Sequence, residues 1–191
     1  MEGMELFDRG GIFYSRRIGG EPVDRGTIEE NMFENEKIIK NPKQTQLINA
    51  TKITGKTTKG LGIGFLNAMT LPSEAEITDT ATSKTRTITT QPFTNYNMTV
   101  LDQSLKNNSY FSIANSNVFQ PQNDHIANVT AADFKFANRQ NSYALYGKSA
   151  VNHIKDKNDS VSNGFYYNVE FAKTSGNFRF NMWHRIESDT Y

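Results

Sequence analysis

The chain of 191 residues contains no cysteine, which excludes disulfide bonds and thiolate chemistry. It has no run of about 18 apolar residues, so no transmembrane helix is expected. The formal net charge is only +1, which gives no indication of a nucleic-acid partner. The N-terminus MEGMELFDRGG lacks the basic and apolar regions of a signal peptide. The chain is therefore expected either to be cytosolic or to begin upstream of Met1.

Helical periodicity is scarce, and apolar residues instead alternate with polar ones from about residue 46 onward. This alternation predicts an all-β chain of about eight strands. The predicted strands lie near residues 46–55, 60–70, 94–103, 110–118, 127–137, 142–151, 164–172 and 177–186. Most are about ten residues long, which exceeds the usual five or six of soluble proteins and suits a strand that crosses a membrane obliquely.

Short and long connections alternate between these strands. KTTKG, SLKNNS, NRQN and KTSGN are short and rich in turn-forming residues, whereas the connections between them are longer. Outer-membrane barrels have short periplasmic turns and longer outer loops. We therefore predict an antiparallel meander that is part of a larger transmembrane β-barrel, with both chain ends cut from a longer protein. Residues 1–45 are assigned to an outer loop or lumenal segment that precedes the strands.

Four long motifs occur in a characteristic order. They are GGIFYSRRIGGEP, ATKITGKTTKGLGIGFLNAMT, TNYNMTVLDQSLKNNSYFSIANSNV and ANVTAADFKF. In these motifs, from about residue 1 to residue 150, the chain resembles the C-terminal barrel domain, a domain of unknown function, of uncharacterised Gram-negative outer-membrane proteins. Longer members of that family carry an N-terminal domain like the family-nine carbohydrate-binding modules.

The resemblance implies a barrel in the cell outer membrane, with the lipid bilayer as its partner and no assigned catalytic residue. It also implies a carbohydrate ligand, bound through an N-terminal domain that this sequence lacks.

The stretch ATKITGKTTKGLGIG is similar to a phosphate-binding loop but does not complete one. A phosphate loop requires a glycine where Ala50 stands, and a helix after Thr57. An alternating strand follows instead, so we predict a hairpin turn from Thr57 to Gly60 and no nucleotide cofactor.

No metal or catalytic constellation is evident either. The loop DKNDS has the alternate oxygen ligands of a calcium loop, but Val161 stands where the glycine is required. The three histidines are far apart and lack metal-ligand spacing. The sequence therefore predicts no catalytic, metal-binding or cofactor-binding residue, and an enzyme is the least favoured class.

The candidate functional residues are charges predicted to face the lumen. There they tune which solutes pass or bind, or else brace the lumen as a salt-bridge network. They are Arg16, Arg17, Lys148, Glu170, Arg179 and Arg185. The residues predicted to face lipid are Leu61, Ile63, Phe65, Met98, Val100, Phe111, Ile113, Phe134, Phe136, Leu145, Tyr167, Val169, Phe171, Phe180 and Met182.

Two non-catalytic functions fit these patterns. The first is a fragment of an outer-membrane β-barrel with a passive role in solute passage, ligand capture or envelope assembly. The alternative is a soluble all-β carbohydrate-binding module, which would bury the same apolar faces between two sheets. Aromatic residues near the strand ends fit the interfacial girdle of a barrel, whereas a soluble sandwich would bury many of them.

Overall fold

The computed structural model describes Phe7, residues 18–156 and residues 158–191. These residues form an all-β antiparallel fold, and most of its strands lie in one sheet. The strands are β1 (Glu36–Lys40), β2 (Leu47–Lys56), β3 (Leu61–Thr70), β4 (Ser73–Asp79), β5 (Thr85–Gln91), β6 (Thr94–Leu105), β7 (Ser109–Gln120), β8 (His125–Ala137), β9 (Tyr143–Lys155), β10 (Val161–Lys173) and β11 (Phe180–Glu187). Short 3₁₀ helices span Arg25–Asn31 and Pro121–Asn123.

The large sheet is an antiparallel meander, as the alternation predicts. Its strand order is β11-β10-β9-β8-β7-β6-β3-β2, so each strand pairs with its neighbour along the chain once β4 and β5 are set aside. Within the described residues, β2 and β11 are its two edges and do not pair with each other. The sheet is therefore open in this part of the chain.

The strands of the large sheet overlap the predicted ranges, but several extend further. In β9 and β10, pairing continues from Asn152 opposite Gly164 to Lys155 opposite Val161, beyond the apolar alternation. Backbone hydrogen bonds do not require apolar side chains, so the ladder runs past the stretch that the hydrophobic pattern marks.

The stretch that is similar to a phosphate loop forms a hairpin turn between β2 and β3. The backbone N–H of Thr57 donates to the carbonyl of Leu61 at 2.8 Å, and Gly60 adopts a φ of 85°. This left-handed conformation favours glycine, which explains the glycine at that position.

The prediction that the strands begin only after residue 45 is wrong. Strand β1 lies before that residue and joins β4 and β5, from the connection after β3, in a second sheet of order β1-β4-β5. The core of this small sheet is formed by Ile28, Ala75 and Ile77, each at most 2% exposed. The alternation in β4 involves only two buried apolar residues, which makes the strand hard to recognise.

A buried polar network lies where β5 of the small sheet leads into β6 of the large sheet. The side-chain amide of Gln91 donates to Thr94 Oγ1 at 2.7 Å, and that of Gln120 donates to the same oxygen at 3.2 Å. Gln91 Oε1 in turn accepts from the backbone N–H of Val23 at 3.0 Å. Gln91 and Thr94 are almost completely buried. Because these buried polar groups bond to one another, they hold the joint between the two sheets together.

The large sheet has two unlike faces, because successive side chains of a strand point to opposite sides. We name one the apolar face, defined by Ile63, Phe65, Ile113, Val169 and Phe171. These side chains are 38–44% exposed.

We name the other the packed face. It is defined by a row of small residues that pair in register across neighbouring strands, Gly64, Val100, Ala114, Ala131 and Ala150.

The prediction that Met98 and Val100 face lipid is wrong. β6 pairs with β3 in a register that sets Val100 opposite Gly64 and Met98 opposite Leu66, on the packed face. Both residues are at most 1% exposed. Their apolar character reflects this packing, and the next residue, Leu101, occupies the apolar face instead at 44% exposure.

Replacing Gly147 by alanine tests the packing of the apolar face. A Cβ at Gly147 would lie 2.2 Å from the ring of Phe134, its partner across β8 and β9. The ring would have to shift, which would disturb its stacking on Phe136 at a centroid distance of 5.0 Å. We expect Gly147→Ala to lower the free energy of unfolding by about 1–3 kcal/mol, measured by urea titration.

Gly55→Ala is the matched control, because nothing lies within 4 Å of a Cβ at that position. Its unfolding free energy should stay equal or rise slightly. Equal effects of the two substitutions would contradict the packing of Phe134 over Gly147.

The stability of the small sheet should depend on pH through the ionisation of Glu36. Arg86 donates to Glu36 from Nε at 2.7 Å and from Nη2 at 2.8 Å, and these hydrogen bonds lower the pKa of Glu36 from 4.5 to about 2. A lowered carboxylate pKa stabilises the fold above the unfolded value, and this contribution is lost as pH falls from about 4.5 towards 2. We expect Glu36→Gln to destabilise the small sheet at pH 7, and we expect this difference from the unsubstituted protein to shrink as the pH falls from about 4.5 towards 2, measured by hydrogen exchange of β1 and β5.

The exposed ion pair between Lys40 and Glu76, at 3.4 Å, provides the control. Glu76→Gln should leave the exchange rates nearly unchanged at both pH values, because exposed ion pairs contribute little. An effect of Glu36→Gln that is as large at pH 2 as at pH 7 would contradict the role assigned to the ionised pair.

Candidate functional site

The packed face gathers polar and charged residues from every strand of the large sheet. One register row crosses all of these strands. The row consists of Lys56, Gly62, Asp102, Ser112, Asp133, Lys148, Asn168 and Arg185. The next row of this face towards the short turns contains Tyr110, Lys135, Tyr146, Glu170 and Trp183.

Three predicted site residues meet on this face. Lys148 and Arg185 flank Asn168 in the first row, and Glu170 lies in the second. Arg16 and Arg17 lie outside the described residues. The large sheet thus brings together charges that are far apart in sequence.

The placement of Arg179 on a strand is wrong. β11 begins one residue later, at Phe180, and Arg179 belongs to the turn that follows β10. Its Nε donates to the carbonyl of Gly176 at 3.3 Å, and Gly176 has a φ of 92°. The turn between β10 and β11 is longer than the apolar alternation of β11 suggests. The charge of Arg179 therefore lies at the end of the sheet.

Among the described residues, the predicted charges Lys148, Glu170 and Arg185 make no ion pair with one another. Arg185 pairs with Glu187 of its own strand, and Glu170 accepts from the side-chain amide of Asn181 at 3.2 Å. Lys148 has no ion pair within 4.0 Å among the described residues. Within the described part of the chain, Lys148, Glu170 and Arg185 are therefore not joined in one salt-bridge network.

A pocket of about 190 Å³ lies among β7, β8, β9 and β10. Asp133, Lys148, Asn168, Tyr146 and Tyr166 contribute to its lining. The side-chain oxygen of Asn168 is buried and has no hydrogen-bond partner among the described residues. Sequence reasoning did not identify Asp133, Asn168 or the tyrosines, since only the cross-strand register shows that they meet.

Aromatic rings border this pocket. The guanidinium of Arg185 lies 5.1 Å from the ring centroid of Tyr166, and Lys135 Nζ lies 5.8 Å from that of Tyr146. Tyr166 also stacks on Tyr191 at 5.7 Å. These contacts hold the rings in place beside the polar groups, as a binding surface requires.

A larger cavity of about 770 Å³ lies at the opposite end of the strands. Its lining includes Val23, Gln91, Tyr96, His125 and Asp156, so it adjoins the buried polar network between the sheets. Among the described residues, no group of His, Asp and Glu side chains could hold a metal ion.

Phe7 covers the middle of the packed face. It is 3% exposed and contacts a cluster with Met98, Val100 and Ala114, against which Leu66 packs. Lys52 Nζ lies 4.8 Å from the centroid of its ring. The row of small residues leaves the space that this ring occupies.

No helix in the described part of the chain is long and apolar enough to cross a membrane.

The chain belongs to the family described as Domain of unknown function (DUF5916), which matches residues 1–191. No curated protein and no solved structure shows detectable similarity to the chain. The family description assigns no activity, so the geometry of the packed face is the basis for a functional proposal.

Replacing Phe7 should open the middle of the packed face. Since the chain has no cysteine, Ala114→Cys introduces a single thiol beneath the ring of Phe7. We expect Phe7→Ala to raise the labelling rate of this thiol at least about tenfold, because the ring no longer excludes solvent and reagent.

Ala68→Cys is the matched control, because Ala68 is 2% exposed and lies outside this cluster. Its labelling should not respond to Phe7→Ala. Unchanged labelling of the thiol at position 114 would show that Phe7 does not cover the packed face.

Proposed function

We propose that the large sheet is part of a transmembrane β-barrel in the cell outer membrane, with its packed face towards the lumen. Its role is non-catalytic and lies in solute passage, ligand capture or envelope assembly. Within this proposal the apolar face contacts lipid and the charges of the packed face contact solutes.

The exposed apolar side chains of the apolar face carry this proposal. Ten of its large hydrophobic residues are 37–62% exposed and belong to seven strands. They are Ile63, Phe65, Leu101, Phe111, Ile113, Phe136, Leu145, Val169, Phe171 and Met182. A soluble monomer rarely exposes a contiguous apolar patch of more than a few hundred Å². A lipid bilayer would cover such a face along its whole width.

The dimensions of β10 support the same proposal. On the apolar face, Phe165, Tyr167, Val169 and Phe171 lie between Asn163 and Lys173. The ten residue steps from Asn163 to Lys173 span about 33 Å along the strand, or about 25 Å across a bilayer at the usual ~40° tilt. That height matches the apolar band of outer-membrane barrels.

A polar row crosses the apolar face on the side of the long connections. It contains Thr51, Asn67, Asn97, Asn117, Asn128, His153 and Asn163. Its side chains bond across strands: Asn67 Nδ2 donates to Asn97 Oδ1 at 2.8 Å, and His153 Nδ1 lies 2.7 Å from Asn163 Oδ1. Amides that satisfy one another are tolerated near a bilayer interface at lower cost than unpaired ones.

The sheet edges also fit a barrel. All ten residues of β2 are exposed, and most of β11 is exposed as well. Open edges of this length promote aggregation in soluble proteins, and a closed barrel removes them. Both edges would then pair with each other or with further strands.

The alternative, a soluble carbohydrate-binding module, would require a second sheet over the apolar face. The exposure of Ile63, Val169 and Phe171 means that no described element covers it.

Membrane fractionation tests the proposal. The full-length protein should sediment with outer membranes and enter solution only with detergent, because the apolar face must remain covered. Recovery from the soluble fraction without detergent, with a cooperative melting transition in plain buffer, would instead support the soluble module.

A further inference from the structure

We propose that the pocket among β7, β8, β9 and β10 binds one ring of a neutral, hydroxyl-rich ligand, that is, a sugar unit. This inference rests on the proposed function in one respect, namely that the packed face is open to solutes. It names the site at which the proposed ligand capture takes place and the chemical class of the ligand.

The pocket is small and polar. Its volume of about 190 Å³ suits a single small ring rather than an extended chain. Asp133 and Lys148 lie directly opposite each other on β8 and β9, and Asn168 lies opposite Lys148 on β10. The pocket is thus lined by a hydrogen-bond acceptor on β8 (Asp133), a donor on β9 (Lys148) and a side-chain amide on β10 (Asn168).

The balance of charge favours a neutral ligand. Asp133 repels anions and Lys148 repels cations, so neither kind of ion is favoured overall. The two side chains make no ion pair with each other within 4.0 Å, although they are direct cross-strand partners. A hydroxyl group both donates and accepts, so it can donate to Asp133 while accepting from Lys148.

The side-chain oxygen of Asn168 indicates a missing hydrogen-bond donor. This oxygen is buried, and no group in the described part of the chain bonds to it. Buried polar atoms without a partner destabilise a fold, so such an atom at a pocket wall is well explained if a ligand hydroxyl satisfies it. A hydroxyl-rich ring supplies several such donors.

The tyrosines supply the remaining contact area. Tyr146 and Tyr166 lie in register rows on either side of the row that contains Asp133, Lys148 and Asn168. Tyrosine combines a large apolar ring with a polar hydroxyl, so it can pack on the C–H face of a sugar and bond to its rim. Arg185 and Lys135 lie over these rings and hold them in place.

The single tryptophan provides a built-in reporter. Trp183 lies on β11 opposite Glu170, which itself lies opposite Tyr146 of the pocket. The protein should be titrated in lauryldimethylamine oxide, because this detergent carries no sugar headgroup that would compete. Maltotriose should give a saturable change in Trp183 fluorescence, whereas glycine and inorganic phosphate should not.

Two substitutions test the assigned contacts. Asp133→Asn and Asn168→Ala should each weaken maltotriose binding about tenfold or more, because each removes an oxygen that accepts from a ligand hydroxyl. Asn168→Ala should also leave the ligand-free protein at least as stable as before, since the removed oxygen has no partner in the free fold. A residue with a merely structural role would show the opposite effect on stability.

Asn117→Ala is the matched control, because Asn117 lies in the polar row of the apolar face, away from the pocket. It should not change binding. The inference is overturned if maltotriose gives no saturable signal, if glycine or phosphate binds instead, or if Asn117→Ala weakens binding as much as Asn168→Ala. If the protein is recovered from the soluble fraction and still binds the sugar, the barrel proposal is refuted but the binding site is retained. Failure of the barrel proposal can therefore be distinguished from failure of the sugar-site proposal.

Discussion

The register between β3 and β6 decides the character of both faces of the large sheet. It sets Val100 opposite Gly64 and Met98 opposite Leu66, so that the cluster covered by Phe7 forms on the packed face. A slip of one residue would transfer every side chain of a strand to the opposite face. The same register carries Leu101 to the apolar face, opposite Ile63.

The two faces of the large sheet therefore carry different kinds of side chain. The apolar face has exposed aliphatic and aromatic side chains from the short turns to a row of asparagines. The packed face has small residues in its centre, where Phe7 lies, and polar residues with tyrosines towards the short turns. Successive side chains of each strand point to opposite faces. The proposed lipid contact and the proposed ligand pocket therefore both follow from the same alternation of apolar and polar residues along the strands.

Much of the large sheet could be predicted from the sequence, because long alternating stretches and turn residues are local signals. The alternation in FYYNVEFA correctly places Val169 and Phe171 on one face. The pattern failed at Met98 and Val100, where apolar residues mark a buried contact rather than the exposed face. It also missed β4, whose two buried residues, Ala75 and Ile77, give too short a signal.

The pocket could not be predicted in the same way. Asp133, Lys148 and Asn168 lie on separate strands, and only the pairing of β8, β9 and β10 brings them together. Lys148 was recognisable as a charge on a polar face, but nothing local relates it to Asp133. The turn before β11 likewise decides the position of Arg179, through hydrogen bonding to Gly176 rather than through hydrophobic pattern.

Spin labels on the two faces test the central claim most directly. A label at Phe171→Cys probes the apolar face and one at Lys148→Cys probes the packed face, in a chain without other thiols. In lipid bilayers, the account predicts that dissolved oxygen relaxes the label at position 171 more strongly, and that a water-soluble nickel chelate relaxes the label at position 148 more strongly. Equal access of the nickel chelate to both positions would contradict a lipid-covered apolar face.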